Sequence, residues 1–240
     1  MRPPSHPASP GLAAVLRGVV ADLQRASGAE MVSLYLYEEA SRRFYAPVAI
    51  GQPEESLLGA LEDMGEQLAR YQEDVEQGKA SDEIGIQQYG STVWLTVTRR
   101  PLVAADARAE IDSTFIRRYQ VASTVGLPLL ASDRLLGIVY FNYQEKKGTR
   151  ARASASRAPT KEQLTQLEKR VVVATATIST ALAAAERSAL EGVARLAGLL
   201  ASPSESGDPK EMRRIFSIAL AELLLAGDLD CSTIHAPLGH

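Results

Sequence analysis

Acidic side chains cluster near the middle of the chain, at Asp106, Glu110 and Asp112. Carboxylates spaced this closely are the residue type that binds hard divalent cations. The same residues also serve as helix caps and as solvated loop residues. We interpret them in that second way, as we do Asp82 and Glu83, and the sequence therefore predicts no metal site.

Sulfur chemistry is limited to one thiol, that of Cys231. A single cysteine forms no internal disulfide, and this usage is typical of a reducing compartment, so we expect a cytoplasmic protein. Enzyme motifs are equally scarce, because the sequence has no glycine-rich phosphate loop, no H-E-x-x-H pair and no serine nucleophile elbow. We therefore predict that the chain is not an enzyme.

The charge balance of the chain is close to neutral. Its 240 residues carry a formal net charge of -3 at pH 7, and 45% of them are hydrophobic. Such a balance gives no general attraction to nucleic acid or to anionic membranes. The longest uncharged segment, 171–185, is shorter than the roughly 20 apolar residues that a membrane-spanning helix needs. We expect no nucleic-acid partner and no membrane anchor.

Hydrophobic periodicity predicts an alternation of helices and strands that must position any functional side chains. The segment 91–100 is ambiguous, because its β-branched residues favour a strand. The segment 126–146 has two apolar runs around the polar turn 131–133, which indicates a hairpin of two buried strands. The other predicted elements are helix 10–27, strands 31–37 and 42–50, helix 54–78, strand 100–106, and helix 112–120 with Asp112 or Ser113 as its N-cap; the hairpin strands are 121–130 and 134–143.

A long helix follows the hairpin. The intervening loop, 146–159, is polar, basic and low in complexity, so we predict that it is mobile and dispensable for folding. Thr160 and Gln163 have the spacing of a capping box, which starts the helix there. A last amphipathic helix is predicted at 209–226. Apolar residues at heptad spacing in the long helix are Leu164, Leu167, Val171, Ala174, Ile178, Ala181 and Ala185, followed after a phase shift at Ser188 by Ala189, Val193, Leu196 and Leu200.

Part of this pattern resembles a known family. The segment RRPLVAADARAEIDSTFIRRYQVASTVGLPLLASDRLLGIVYFNY, 99–143, is similar to the second half of a GAF domain, where an R-P-L-V-x-x-D type of segment precedes a short helix and a hairpin. The segment PTKEQLTQLE, 159–168, is also similar to the start of the family's exit helix, where a Thr or Ser is followed by acidic residues and leucines. The resemblance covers roughly 11–186. It implies an α/β (α+β) fold with a central antiparallel sheet flanked by helices, a long C-terminal coiled-coil-type helix, and a helix rather than a strand at 91–100.

The resemblance divides the chain into three parts. Residues 1–10 form a disordered, proline-rich lead, and residues 11–186 form the GAF-like domain. Residues 187–240 form a signalling or linker helix with a helical tail. That tail is either a plain helical extension or the start of a second GAF-like unit in a longer signalling protein, and the sequence leaves both readings open.

The ligand classes known for GAF domains can be compared with the residues present. Covalent bilin attachment needs a cysteine beside the pocket, but the only cysteine is Cys231. Haem needs an axial histidine, and His6, His235 and His240 all lie outside the predicted core. The Asn-Lys-Phe-Asp-Glu signature of the cyclic-nucleotide-binding members is missing. Haem and bilin are therefore disfavoured, the cofactor stays unknown, and catalysis on oxidised methionine lacks the cysteines it requires.

A ligand pocket is implied between the strand 134–143 and a roof formed by 91–120. Tyr140 and Asn142 share one face of that strand because side chains alternate. If that face pointed away from the roof, the pocket would be lined instead by Leu135, Val139 and Phe141, and it would be apolar.

Among the polar residues near this pocket, Arg118 has a guanidinium that suits a carboxylate or phosphate. We interpret Arg117 as an exposed helix residue, and Tyr35 and Tyr37 as core residues of one strand face. The predicted ligand-binding residues are Trp94, Phe115, Arg118, Tyr119, Thr124, Tyr140 and Asn142.

The sequence thus predicts a cytoplasmic GAF-type regulatory sensor domain. It would bind a small molecule and transmit a signal through a dimeric helix to the output domain of a signalling protein. The alternative is a ligand-free dimerisation scaffold with a filled pocket. In both cases a homodimer forms through the 160–200 helix, because the apolar heptad stripe is unfavourable in water, and Ile178→Asp is expected to weaken association.

Overall fold

Helices and strands alternate along the chain in the computed structural model, which describes residues 10–53, 55–79, 85–144 and 158–201. In chain order the elements are α1 (Pro10–Ser27), β1 (Met31–Glu38), β2 (Arg43–Ile50), α2 (Glu55–Glu76), α3 (Ile86–Thr98), β3 (Leu102–Ala104), α4 (Ala107–Glu110), α5 (Thr114–Arg118), β4 (Val121–Ala131), β5 (Arg134–Gln144) and α6 (Lys161–Ala201).

The strands form one antiparallel sheet in the order β2-β1-β5-β4-β3. β4 and β5 are the predicted hairpin, and they pair from Val121 near Gln144 to Ala131 opposite Arg134. β5 also pairs with β1, so it lies in the middle of the sheet, and nearly all of its residues are buried. The two apolar runs of the sequence are therefore two of the three inner strands.

The outer strands are short or irregular. β3 has only three residues. The pairing of β2 with β1 shifts register between Leu34 and Leu36, and Ala46 of β2 has a φ of +46° at this point. This irregularity is a β-bulge, and Pro47, which has no backbone N–H to donate, follows it directly.

The two faces of the sheet pack against different helices. Tyr140 of β5 faces α2 to α5, because its hydroxyl is hydrogen-bonded to the Thr92 hydroxyl of α3 at 2.9 Å. Tyr143 lies on the opposite face, because side chains alternate along a strand. It borders a shallow cleft together with Ser27 of α1 and Leu167 of α6. The C-terminal part of α1 and the N-terminal part of α6 therefore lie on that second face.

Most of the segment 91–100 is helical, up to Thr98, so the expectation from the family resemblance is right and the expectation from β-propensity is wrong. The threonines of α3 fit the helix because the hydroxyls of Thr96 and Thr98 donate to the carbonyl oxygens of Thr92 and Trp94, each at 2.7 Å. The helix is broken at Gly90, whose φ of 87° and ψ of 165° lie outside the helical region.

The predicted helix at 112–120 is shorter in the structure and has an additional helix before it. Asp106 is the N-cap of α4: its carboxylate accepts from the Ala109 N–H at 3.3 Å, and its own N–H donates to the Glu110 carboxylate at 2.8 Å. Ser113 occupies the N-cap position of α5, but its side chain makes no capping hydrogen bond. Asp112 is paired with Arg117 instead.

The predicted capping box of α6 is confirmed. The Thr160 N–H donates to the Gln163 amide oxygen at 2.9 Å, and the Gln163 N–H donates to the Thr160 hydroxyl at 3.3 Å. The helix that follows buries one stripe of side chains within a single chain. These are Leu167, Val171, Ala174 and Ile178.

That burial weakens the reason for which the sequence predicted a dimer, but the dimer itself stays a prediction. The chain itself covers the first part of the stripe, with Ile178 fully buried at 0% exposure, whereas the later heptad positions Ala181 and Ala185 are half-buried. The large apolar residues that α6 exposes are different ones: Val172 at 68%, Val173 at 66% and Leu190 at 68%. Helical periodicity finds an apolar stripe, but it does not say whether the same chain or a second chain covers it.

Contacts within the chain separate two compact units. Val15–Ser179 contain the sheet and the helices α2 to α5. The other unit comprises Met1–Ala14 and Thr180–His240, of which the structure describes 10–14 and 180–201. None of the described helices is long and apolar enough to span a bilayer. Predictions that lie outside the described residues are the lead before residue 10, the mobile loop up to residue 157 and the helix 209–226. The choice between a helical tail and a second GAF-like unit also depends mostly on residues after 201, which lie outside the described part.

Candidate functional site

A cavity of about 310 Å³ lies between the sheet and the helices α2, α3 and α5. The sheet contributes its floor because alternate residues of three adjacent strands point to this side. Ser33 of β1 is opposite Tyr140 of β5, and Thr124 of β4 is opposite Asn142 of β5. The strand order thus brings together side chains from three strands, of which β1 is far from the other two in sequence.

Two buried polar side chains form a pair on this floor. The Thr124 hydroxyl donates to the Asn142 amide oxygen at 2.7 Å, and the two residues are only 2% and 4% exposed. The amide nitrogen of Asn142 makes no hydrogen bond to another described residue, and it is accessible from the cavity, because the buried side-chain polar atoms without a partner in the described part of the chain belong to Gln52 and Ser123. Because Asn142 lines the cavity, a molecule in the cavity can supply the missing acceptor.

Two tyrosines complete the floor. The Tyr140 hydroxyl is 2.9 Å from the Thr92 hydroxyl and 3.3 Å from the Ser91 hydroxyl. Its ring packs edge-on against Tyr35, with centroids 6.5 Å apart. Burial raises the pKa of both Tyr35 and Tyr140 above the ordinary phenol value. Both hydroxyls are therefore neutral at physiological pH.

Charged side chains lie at the entrance of the cavity. Arg117 is paired with Asp112 at 2.5 Å, and their side chains are 62% and 81% exposed. Asp63 of α2 also lines the cavity and is exposed. Apolar wall residues come from two helices, with Met64 on α2 and Phe115 on α5. The site thus has a neutral polar floor, an apolar wall and charges only at its edge.

The structure brings together four of the seven residues predicted to bind a ligand: Phe115, Thr124, Tyr140 and Asn142 line the cavity. Tyr140 and Asn142 face the roof helix α3, so the first of the two alternatives for their orientation is the one observed. Whether they bind a ligand stays a prediction.

The other three predicted residues do not line this cavity. Arg118 lies over the ring of Tyr119, with its guanidinium carbon 5.8 Å from the ring centroid, and Trp94 packs against the core from α3. Successive residues of a helix point about 100° apart, so only one of the two arginines on α5 can face the entrance. That residue is Arg117.

Sequence reasoning missed most of the α2 and β1 contributions to the site. Ser33 and Tyr35 alternate along β1, which is a detectable signal, but only the strand order places them beside β5. On α2, Asp63, Met64 and Gln67 share one helical face. Their spacing is visible in the sequence, although the element that they face is not. Among the described residues, no group of three His, Cys, Asp or Glu side chains could hold a metal ion.

Comparison with known proteins gives one family and a set of solved domains. A model of the GAF domain family matches residues 11–176. No curated protein matches the chain. The GAF domain of an Acinetobacter phosphoenolpyruvate-protein phosphotransferase is 14% identical, with a TM-score of 0.47 over 75% of this chain and 89% of that one.

Two further solved domains are similar. The GAF domain of a phosphoenolpyruvate-protein phosphotransferase from Coxiella burnetii is 18% identical, with a TM-score of 0.49 over 73% of this chain and 87% of that one. The second GAF domain of DevS from Mycobacterium smegmatis is also 18% identical, with a TM-score of 0.44 over 73% of this chain and 97% of that one.

Proposed function

Because the chain belongs to the GAF domain family, whose members are generally regulatory and sensory rather than catalytic, we propose that it binds a small molecule in the cavity between the sheet and α2, α3 and α5. Binding would bias the position of α6 and so signal to an output domain. The observation that carries the proposal is the amide nitrogen of Asn142, which faces a cavity with a polar floor and makes no hydrogen bond to another described residue.

This observation favours a ligand over a filled scaffold. Protein interiors are packed to nearly crystalline density, and an empty cavity lowers stability. A domain that served only as a scaffold would fill this volume with apolar side chains. The chain instead places Thr124, Asn142 and Tyr140 there, all at most 8% exposed.

The proposed route of the signal is β5. Its one face carries Tyr140 and Asn142, which would contact the ligand. Its other face carries Tyr143, which borders the same cleft as Leu167 and Arg170 of α6. A shift of this strand, together with the strands β1 and β4 that pair with it, would therefore reach the helix.

The exposed residues Val172 and Val173 support self-association through α6. We propose that this face, rather than the buried stripe predicted from the heptads, is the homodimer contact. A dimer pairs the same surface of two chains, so one apolar face suffices. Dimerisation is compatible with ligand binding and does not require a filled cavity.

Native mass spectrometry of the full chain tests the ligand. We expect wild-type protein to retain a small molecule, or to gain thermal stability from at least one compound of a metabolite panel. Ala60→Phe should abolish this, because Ala60 lines the cavity on α2. Ala69→Phe is the matched control, since Ala69 is exposed on the same helix and does not line the cavity.

Two results would contradict the proposal. One is a wild-type protein that retains no molecule and is stabilised by no compound. The other is binding that Ala60→Phe leaves intact, with circular dichroism showing both variants folded. Either would favour the ligand-free scaffold.

A further inference from the structure

We infer that the cavity takes an uncharged molecule which presents a hydrogen-bond acceptor to Asn142, and that it rejects carboxylates and phosphates of the same size. The inference rests on the proposed function, because it specifies the chemistry of the ligand for that same cavity. It replaces the anionic ligand that the sequence suggested through Arg118.

The charges around the cavity argue against an anion. The ionisable lining residues, apart from the two neutral tyrosines, are Asp63, Asp112 and Arg117, which gives a formal charge of -1. Arg117 is the one lining cation, and it is paired with Asp112 and mostly exposed. A buried anion needs a buried cation or several donors to replace its hydration. None of the buried residues that line the cavity is cationic.

The hydrogen-bonding groups of the floor suit a neutral acceptor. The amide oxygen of Asn142 is already occupied by the Thr124 hydroxyl. What remains to the ligand is the amide nitrogen, which only donates. A carbonyl oxygen or a ring nitrogen can accept from it without bringing a charge into the buried floor.

The size and the wall of the cavity limit the rest of the molecule. A volume of about 310 Å³ is at the lower end of the range of about 300–1,000 Å³ that small-molecule sites occupy. Met64, Phe115 and Ile116 supply apolar contact on the helix side. Together these features fit a compact heteroaromatic or amide compound with an apolar body.

Matched pairs of an amide and its acid separate charge from shape. We would measure binding of nicotinamide and nicotinate, benzamide and benzoate, and uracil and orotate to the full chain by ligand-observed NMR titration at pH 7. In each pair the two members have related rings, while only the second is anionic. We expect the neutral member to bind at least tenfold more tightly in at least two pairs.

Variants test whether the preference for neutral ligands arises in the cavity. Asn142→Asp keeps the acceptor for Thr124 but loses the donor and adds a carboxylate, so neutral binding should fall at least tenfold. Arg117→Gln removes the one cation among the described residues that line the cavity, so an anion that binds there should lose affinity in this variant. Arg118→Gln is the matched control on the same helix, because Arg118 does not line the cavity. If Asn142→Asp fails to fold, the preference for the neutral member of each pair, measured in the Arg117→Gln variant, still tests the inference.

The outcomes separate this inference from the proposed function. Acids that bind as tightly as their neutral partners, and lose affinity in Arg117→Gln but not in Arg118→Gln, overturn the inference and leave the proposed function standing. A second result has the same meaning: if no neutral probe binds but the protein retains a small molecule in native mass spectrometry, the inference fails and the proposed function stands. If no probe binds and no molecule is retained, both fail.

Discussion

Thr124 and Ser123 are neighbours on β4 whose side chains point to opposite faces of the sheet. The Thr124 hydroxyl bonds to Asn142, whereas the Ser123 hydroxyl is buried with no partner among the described residues. Removing the first should lower the free energy of unfolding, because it leaves the amide oxygen of Asn142 unpaired. Removing the second should not, because it deletes a polar group that is already unpaired.

We therefore expect Thr124→Val to lower the free energy of unfolding by about 1–2 kcal/mol, and Ser123→Ala to leave it unchanged or raise it by up to about 1 kcal/mol. Urea denaturation of the two variants beside wild type measures both values. Equal losses in the two variants would show that packing, and not hydrogen bonding, dominates at this strand.

Tyr143 makes the stability of the domain sensitive to high pH. Burial, with a smaller contribution from Glu30, raises its pKa from 10.0 to about 12. The folded state therefore holds the phenol proton more tightly than the unfolded state does. This contribution to stability is complete below pH 10 and is lost as the pH rises from about 10 to 12.

Tyr143→Phe removes this proton linkage. We expect the variant to lose less stability than wild type between pH 9 and pH 11.5, while the two curves run parallel below pH 9. Chemical denaturation at a series of pH values gives the comparison. Parallel curves throughout the alkaline range would mean that this hydroxyl ionises freely in the folded protein.

At the scale of elements, the break in α3 matters most for the cavity. Gly90 has a positive φ and lines the cavity, and an added Cβ would lie against the Gln67 side-chain amide, 2.9 Å from its Cδ. Gly85, at the start of the same helix, has a φ of -86°, and the nearest atom to an added Cβ would be Gln88 Cβ at an ordinary contact distance of 4.0 Å. The two glycines form a matched pair for testing the break.

We expect Gly90→Ala to lower the free energy of unfolding by about 1–2 kcal/mol or more, because the native φ is unfavourable for alanine. Gly85→Ala should change it by less than about 1 kcal/mol, since that position adopts an ordinary extended conformation. Thermal unfolding measures both. A Gly90→Ala protein as stable as Gly85→Ala would show that α3 can straighten without penalty.

The two sides of α6 give opposite predictions for the same substitution. Ile178→Asp places a carboxylate at a fully buried position and should destabilise the folded chain by more than about 3 kcal/mol. Val173→Asp changes a residue that is 66% exposed, so the chain should keep its melting temperature as a monomer. The Val173→Asp substitution should instead weaken self-association at least tenfold.

Light scattering and thermal unfolding, measured together, separate these effects. A dimer that persists in Val173→Asp would move the contact away from this face of α6. An Ile178→Asp protein that stays folded and becomes monomeric would restore the interface predicted from the heptads.

The sequence predicted those parts of the site that depend on one element at a time. Alternation within β5 places Tyr140 and Asn142 on one face, and the structure has them so. The contribution of Ser33 depends on β1 lying next to β5, and strand order is set by long-range pairing that a local pattern does not contain. The choice between Arg117 and Arg118 depends on the phase of a helix of five residues, which is too short to show a period.

At the scale of the whole molecule, ligand binding and self-association must be coupled in both directions if the proposed signal exists. A ligand that strengthens the dimer by some factor is itself bound more tightly by the dimer, by the same factor. We therefore expect the tightest-binding neutral probe to have a different dissociation constant for wild type and for the Val173→Asp monomer.

Titration calorimetry of both proteins measures that difference. A ratio between 5 and 150, corresponding to about 1–3 kcal/mol of coupling, is typical of allosteric proteins. The control is the dimer dissociation constant of wild type with and without the probe, which must change by the same ratio. If wild type and the Val173→Asp monomer bind the probe with equal affinity, the domain binds a ligand but does not transmit a signal through α6.

The irregular rims of the sheet determine how copies of this domain can meet at high concentration. An exposed edge strand offers unpaired N–H and C=O groups to another chain, which is how sheets extend into aggregates. Here one rim is the three-residue β3, and the other, β2, is interrupted by the bulge at Ala46 and by Pro47. Neither rim presents a long, straight template for a foreign strand. Contacts between copies are thereby directed to helical surfaces, where they can remain reversible.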